Sequence, residues 1–232
     1  MNYVIIFAGG KGTRMKGTDI PKQFLEIGGK SILCHTVEKF EKNPLINGIV
    51  VVANPDFYDK TVDVLKSGGF TKIIKTVNGG NSPIDSQYNG LTALKGIADD
   101  NDVILLHDGV RPLIDQKTIT ECIETVEKHG NAITVSPAIE TIALIDEGGA
   151  INNTVDRNKC MLARAPQGVK FGELYSFHEL SLKQGVHNFI DTASMLLYYG
   201  KTLNTVVGPQ ENVKVTTISD FYACKALIEN QG

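Results

Sequence analysis

Residues Phe7-Ala-Gly-Gly-Lys-Gly-Thr-Arg-Met15 interleave three glycines, Gly9, Gly10 and Gly12, with two cations, Lys11 and Arg14. Glycine lets a chain turn sharply and bring its bare N–H groups against a ligand. Amide donors and cations at one turn suit a polyphosphate. The pattern is not Gly-x-Gly-x-x-Gly, because Met15 stands at the third glycine, and no Gly-Lys-Ser/Thr ending follows. A dinucleotide-binding fold and an ordinary P-loop are therefore disfavoured. A glycine turn that merely ends a strand is the plain alternative. Just beyond, in Ile20-Pro-Lys-Gln-Phe-Leu25, Pro21 restricts the backbone and sets Lys22 as a further point charge for phosphates.

Other reactive side chains point to less. His107 reads as a satisfied strand-end histidine and His35 as structural on an amphipathic helix. His178 and His187 lack metal-ligand spacing with each other or with a cysteine. Asp99-Asp-Asn-Asp102 reads as a solvated turn and Tyr198-Tyr199 as a packed helix end. The four cysteines, Cys34, Cys122, Cys160 and Cys224, contain no Cys-x-x-Cys, which argues against a disulfide scaffold or zinc knuckle.

The elements that must carry these groups alternate. Val4–Phe7, Gly48–Val52, Lys72–Val77 and Val103–Leu106 are continuous apolar runs, the pattern of strands buried on both faces. Helical stretches at Ile32–Glu41, Pro55–Lys66 and Ser86–Ile97 lie between them, and Tyr88, Leu91 and Leu94 share one side of the last. A helix at Thr118–His129 and a strand at Ala132–Ser136 continue the rhythm. The expectation is an α/β fold with a Rossmann-like, mostly parallel sheet flanked by helices. Asp108, at the end of a buried strand, then belongs where open α/β sheets bind ligands.

Residues 137–159 break the rhythm: Thr141–Ile145 and Ala150–Val155 flank Asp146-Glu-Gly-Gly149 as a hairpin. It is either a decorated loop or an arm that contacts a second subunit. Tyr175–Gln184, Ile190–Tyr199 and Ser219–Glu229 read as helices, the last capped by Ser219 or Asp220, and Thr202–Val207 as extended. The 232 residues, 42% hydrophobic, are expected to form one domain with this arm. Twenty-three Lys+Arg against 26 Asp+Glu, a net charge of -3, argue against a nucleic-acid or anionic-membrane binder. No apolar stretch approaches a membrane span and no secretory signal is visible, so a cytoplasmic protein is expected.

Taken together, Ala8-Gly-Gly-x-Gly-Thr-Arg-Met15 followed by Pro21-Lys-Gln-Phe-Leu25 resembles the cytidylyltransferases that make CDP-polyols, from 2-C-methyl-D-erythritol 4-phosphate or ribitol 5-phosphate. The likeness runs along the chain through Gly79-Gly80, Ser86 and Asn89-Gly-Leu91, then Leu106-His-Asp-Gly-Val-Arg-Pro112 and Glu140-Thr-Ile142. It continues through Thr154-Val-Asp-Arg157, Ala165-Pro-Gln167, Asp191 and Asn212-Val-Lys-Val-Thr216. Pro83 stands where the family usually has an arginine, and Ala165 and Ile190 replace threonines. Ala8-Gly9-Gly10 leans to the ribitol branch, Thr154-Val-Asp-Arg157 to the methylerythritol branch.

The resemblance implies a nucleotide-diphospho-sugar transferase type of fold and attack by the polyol phosphate on the α-phosphorus of CTP, releasing pyrophosphate. Such transfer needs mainly positioning and charge neutralisation. It implies Arg14, Lys22 and Lys214 as catalytic cations, and Ala8, Gly9, Gly10, Lys11, Gly12, Thr13, Gly80, Asn81, Ser86 and Asp108 around the nucleotide. It further implies Asp108, Arg111, Thr141, Arg157 and Asp191 around the polyol phosphate, with Arg157 reaching across from a second subunit in a homodimer. Arg111 has a structural alternative, bracing the loop by pairing with a carboxylate. A Mg2+ ion bridging the triphosphate is expected, with Asp108 as its candidate protein ligand. Two other readings stay open: a catalytically weakened CTP-binding regulatory protein, and a sugar-1-phosphate nucleotidyltransferase.

Overall fold

Alternate residues of the first strand, β1 (Asn2–Ala8), enter two different hydrophobic cores. Val4, Ile6 and Ala8 join one cluster; Tyr3 and Ile5 join the other. A strand buried on both faces requires this. In the computed structural model, which describes residues 1–10, 20–186 and 188–230, a minimal ribbon, β2 (Glu26–Ile27) with β3 (Lys30–Ser31), leads into helix α1 (Ile32–Glu41). Strand β4 (Gly48–Ala53), helix α2 (Tyr58–Ser67), strand β5 (Ile73–Asn78), helix α3 (Pro83–Ala93) and strand β6 (Val103–Asp108) then alternate. Helix α4 (Gln116–His129) and strand β7 (Asn131–Pro137) follow, then a hairpin of β8 (Ile142–Ile145) and β9 (Ile151–Val155). Strand β10 (Met161–Lys170), helices α5 (Phe171–Gln184) and α6 (Thr192–Tyr198), strand β11 (Thr205–Val207) and helix α7 (Ile218–Glu229) complete the chain.

Seven strands form one sheet in the order β11-β7-β10-β6-β1-β4-β5. β4 and β6 both pair parallel with β1, β5 with β4, and β11 with β7; β10 alone runs antiparallel, between β6 and β7. The chain leaves β1 towards β4 and β5, then returns past β1 to β6, so β1 is where the strand order reverses. A crevice opens at the carboxyl ends of strands at such a point. The start of β10 meets that edge because it points the other way.

Local chemistry sets the ends of the helices that frame the crevice. Ser82 Oγ accepts from Asp85 N and Asp85 Oδ2 accepts from Ser82 N, both at 3.1 Å, with Pro83 in the first turn. That is a capping box with proline where its missing N–H costs nothing. The proline that departs from the usual arginine is thus a helix-starting residue. In the last turn of α3, Gly90 lets the helix approach the sheet: a Cβ there would lie 2.6 Å from Ile5 Cγ2 and 3.0 Å from Val52 Cγ2.

Several expectations change. β5 is an edge strand with no buried residue, since among the described residues no strand pairs with its outer side. Asp102 is buried, accepting from Asp99 N at 2.9 Å while its carbonyl accepts from Phe171 N at 2.8 Å; the acidic turn is a packed corner there. The last helix is capped by Thr217, whose hydroxyl accepts from Asp220 N, with Asp220 the reciprocal partner at the third position. Tyr198 is exposed; it packs edge-on to Tyr199 on the surface. The hairpin's β8 and β9 are solvent-exposed along most of their length, with Ile145 67% and Ile151 70% exposed. Among the described residues no helix is long and apolar enough to cross a membrane.

Replacing Gly90 by Val should lower stability by about 1–3 kcal/mol, because α3 cannot then seat on Ile5 and Val52. A urea midpoint equal to wild type would contradict this close approach.

Candidate active site

The carboxyl ends of β1, β4, β5 and β6 and the start of β10 enclose a cavity of about 820 Å³. That is within the range of small-molecule sites. Its first wall is the turn after β1. Gln23 Nε2 donates to the carbonyls of Ala8 and Gly10, each at 3.2 Å, and Asn54 Nδ2 donates to Gly9 O at 3.0 Å. Two buried amides thus hold the turn's carbonyls back. Lys22 is buried on the same wall, its Cε passing 3.5 Å from where a Cβ would stand on Gly10.

The second wall follows β5. Ser86 Oγ accepts from Gly80 N and donates to Ser82 O, both at 3.0 Å, so the helix that carries Ser86 also fixes the double-glycine turn. A Cβ on Gly80 would stand 2.3 Å from Asp85 Cβ, so only glycine fits against the cap.

The third wall is charged. Asp108, the last residue of β6, accepts from Lys214 Nζ at 2.7 Å through one oxygen and from Arg111 Nε at 2.8 Å through the other. Burial alone would raise the Asp108 carboxyl, but the Lys214 and Arg111 charges outweigh it and bring it to about 2. Arg111 is buried and also donates through a second nitrogen to Asn212 O at 3.0 Å, which bears out its bracing role. His107 stands behind this wall, its ring 4.9 Å from that of Phe40 and its Nε2 3.1 Å from Arg111 O. Burial lowers the imidazole to about 4, so it is neutral at neutral pH, and the carbonyl partner assigns the proton to Nε2. Its place is structural.

The fourth wall joins β10 to α6. Gln167 Nε2 donates to Asp191 Oδ2 at 2.8 Å and its Oε1 accepts from Ala193 N at 2.9 Å. Asp191 also caps α6, accepting from Ser194 N at 2.9 Å. Helix α6 therefore starts at Thr192, two residues later than its periodicity indicates. Ile190, at the rim, is 87% exposed.

The structure thus brings together Ala8, Gly9, Gly10, Lys22, Gly80, Asn81, Ser86, Asp108, Arg111, Asp191 and Lys214 around one cavity. Lys11, Gly12, Thr13, Arg14 and His187 lie outside the described residues. Thr141 and Arg157 are on the exposed arm, not among the residues that line the cavity; Arg157 donates to Ile139 O at 3.1 Å within the arm itself. Sequence reasoning missed Gln23, Asn54, Gln87 and Arg164, all on the cavity wall. The available signal was polar residues inside otherwise apolar or turn-forming stretches. Among the described residues no three His, Cys, Asp or Glu side chains gather where they could hold a metal. One wall carboxylate, Asp108, with spare lone pairs beside its two cations, fits a divalent ion carried in on phosphates better than a resident one.

A mostly parallel sheet with a glycine turn at its switch point and a cationic wall opposite is the arrangement of a nucleotidyltransferase-type α/β protein. The model of the 2-C-methyl-D-erythritol 4-phosphate cytidylyltransferase (IspD) family matches residues 2–230. The chain is 38% identical over 229 residues to a ribitol-5-phosphate cytidylyltransferase of Streptococcus agalactiae, covering 99% of this chain and 96% of that one. It is 34% identical over 232 residues to a 2-C-methyl-D-erythritol 4-phosphate cytidylyltransferase of Geobacter metallireducens, covering 99% and 98%. The crystal structure of the Francisella tularensis 2-C-methyl-D-erythritol 4-phosphate cytidylyltransferase superposes with a TM-score of 0.81 at 29% identity, covering 97% and 98% of the two chains. The chain belongs to the IspD family of cytidylyltransferases.

Asp108→Asn should cost about 3 kcal/mol in urea unfolding, because it leaves the buried Arg111 without its counter-charge. The folded carboxyl titrates below its ordinary value, so this stabilisation is whole above about pH 4 and is lost as the pH falls towards 2. The variant's stability should be correspondingly less sensitive across that window, and an unchanged acid limb would refute the assignment.

Proposed function

We propose that this enzyme transfers CMP from CTP to the phosphate of a small polyol phosphate, giving a CDP-polyol and pyrophosphate. The observation that carries the reading is the division of the cavity. One half, over β1, β4 and β5, offers backbone turns and neutral donors; the other, over β6 and β10, offers Lys214, Arg111 and Asp191. A nucleoside triphosphate suits the first half, with its phosphates against Gly9, Gly10 and Lys22, and Asn81 and Ser86 near its nucleoside. Lys11, Gly12, Thr13 and Arg14 extend the same phosphate grip in the sequence. A polyol phosphate suits the second half, its hydroxyls within reach of Asp191 and Asp108.

The chemistry needs no nucleophile from the protein. Lys22 and Lys214 stabilise the charge that grows on the α-phosphate as the acceptor oxygen attacks. Asp108 holds Lys214 at its place, which a free lysine stem would not keep. Mg2+, when bound, shields the triphosphate and lowers its repulsion of the incoming phosphate, with Asp108 the residue that would touch it. Ribitol 5-phosphate is the first acceptor to test, on the ribitol-5-phosphate cytidylyltransferase at 38% identity; 2-C-methyl-D-erythritol 4-phosphate is the second, on the relative at 34%.

The chain is further proposed to act as a homodimer through the hairpin, with Arg157 and Thr141 completing the neighbouring cavity. Ile139, Leu144, Ile145 and Ile151 expose apolar surface along it, more than a solvated arm needs.

Incubation with CTP, Mg2+ and ribitol 5-phosphate should yield CDP-ribitol and pyrophosphate, and Lys22→Ala should lower kcat at least about a hundredfold with an unchanged circular dichroism spectrum. Binding of CTP with no product from either acceptor would favour the regulatory reading, and a preference for another nucleotide the sugar-1-phosphate one. Ile145→Glu should yield a monomer by light scattering and sharply reduced turnover; a fully active monomer would remove the arm from the mechanism.

A further inference from the structure

Arg164 is a cation on the cavity wall that has no counter-charge among the described residues. Its Nε donates to Ser136 Oγ at 3.1 Å, and among the described residues no carboxylate lies within ion-pair distance of its guanidinium. Arg111 is near enough to repel it, and partial burial with that repulsion makes its charged form less favourable. Asp108 is already shared by Arg111 and Lys214. Asp191, the other carboxylate on this side of the cavity, is taken up by Gln167 Nε2 and Ser194 N, so of the three cations here only Arg111 and Lys214 have an ion-pair partner among the described residues. A half-buried guanidinium with four of its five N–H donors unused by protein is matched to an anion from outside.

The position is built rather than incidental. Along β10 the pairing with β7 jumps from Ala163↔Val135 to Gln167↔Ile133, so Arg164 begins a bulge with two more residues than the facing strand. Bulges re-aim side chains and recur beside active sites. This one is clamped: Thr134 Oγ1 donates to Pro166 O and Asn212 Nδ2 to Ala165 O, each at 2.7 Å, from side chains fully excluded from solvent. Asn212 also supplies the carbonyl that Arg111 holds. The same buried asparagine therefore fixes the bulge and the neighbouring cation together.

We infer that Arg164 binds the phosphate monoester of the acceptor. The inference rests on the cytidylyl-transfer reading for the identity of the acceptor. Sheet order favours the acceptor over CTP: Arg164 lies on β10, two strands from the glycine turn of β1 and beside Gln167, which holds Asp191. A planar guanidinium takes a terminal phosphate in two parallel hydrogen bonds, which a lysine cannot reproduce.

The test compares wild type, Arg164→Gln and Arg164→Lys in steady-state kinetics with CTP and ribitol 5-phosphate or 2-C-methyl-D-erythritol 4-phosphate. Arg164→Gln should raise the acceptor KM by about ten- to a hundredfold, as expected for a lost charged hydrogen bond, with the CTP KM within about twofold of wild type. Arg164→Lys should recover only part of the loss. A raised CTP KM with an unchanged acceptor KM, or no change in either, would overturn the assignment. Calorimetric titration with inorganic phosphate reads the same contact without turnover. If wild type forms no CDP product, the function reading fails by itself. Weaker phosphate binding by Arg164→Gln would then still support an anion site at Arg164, and equal binding would overturn it.

Discussion

One carboxylate shared between two cations organises this molecule's functional edge. Asp108 ends a strand whose other residues are wholly apolar apart from His107, and it fixes Arg111 from the following loop and Lys214 from a segment 106 residues further on. Without the aspartate those side chains would repel one another; with it they stand together and leave surplus positive charge towards the cavity. Buried ion pairs contribute little net stability but are costly to break. What Asp108 contributes is therefore position, and Asn212 extends that position to the β10 bulge.

The sheet divides the cavity by strand. The polar groups on the side of β1, β4, β5 and α3 are mainly backbone turns, amides and hydroxyls, with Lys22 beside a glycine. The polar groups on the side of β6, β10 and the Asn212–Lys214 segment are mainly charges and the groups that hold them. Two ligands of different chemistry can be held side by side because the strand order reverses at β1.

Much of the central frame was legible because its signals are strong and local. The apolar runs of β1, β4 and β6 and the helices between them could be read from period alone, as could the hairpin from its glycine turn. β10 could not. Ala165-Pro-Gln-Gly168 has the composition of a loop, and the segment is a strand because β6 and β7 pair with both its edges. Tertiary pairing overrode propensity there. Asp102 was misjudged for a related reason: an acidic turn says nothing of the packed corner it builds. Within the site, the glycine turn, Lys22, Asp108 and Asp191 were recoverable as motif residues. Arg164 was invisible because its meaning lies in what it lacks among the described residues, a counter-charge, and that is a fact of three dimensions.

The break in β10 has a mechanical consequence. The strand starts beside the hairpin, where Met161 pairs with Pro137, and its inner part, from Gln167 to Lys170, is locked between β6 and β7. Sway at the outer end is therefore not delivered rigidly to the middle of the sheet. The residues between are tied instead to the core, through Thr134 on Pro166 O and Asn212 on Ala165 O, so the guanidinium they carry is anchored to the foundation and not to the arm.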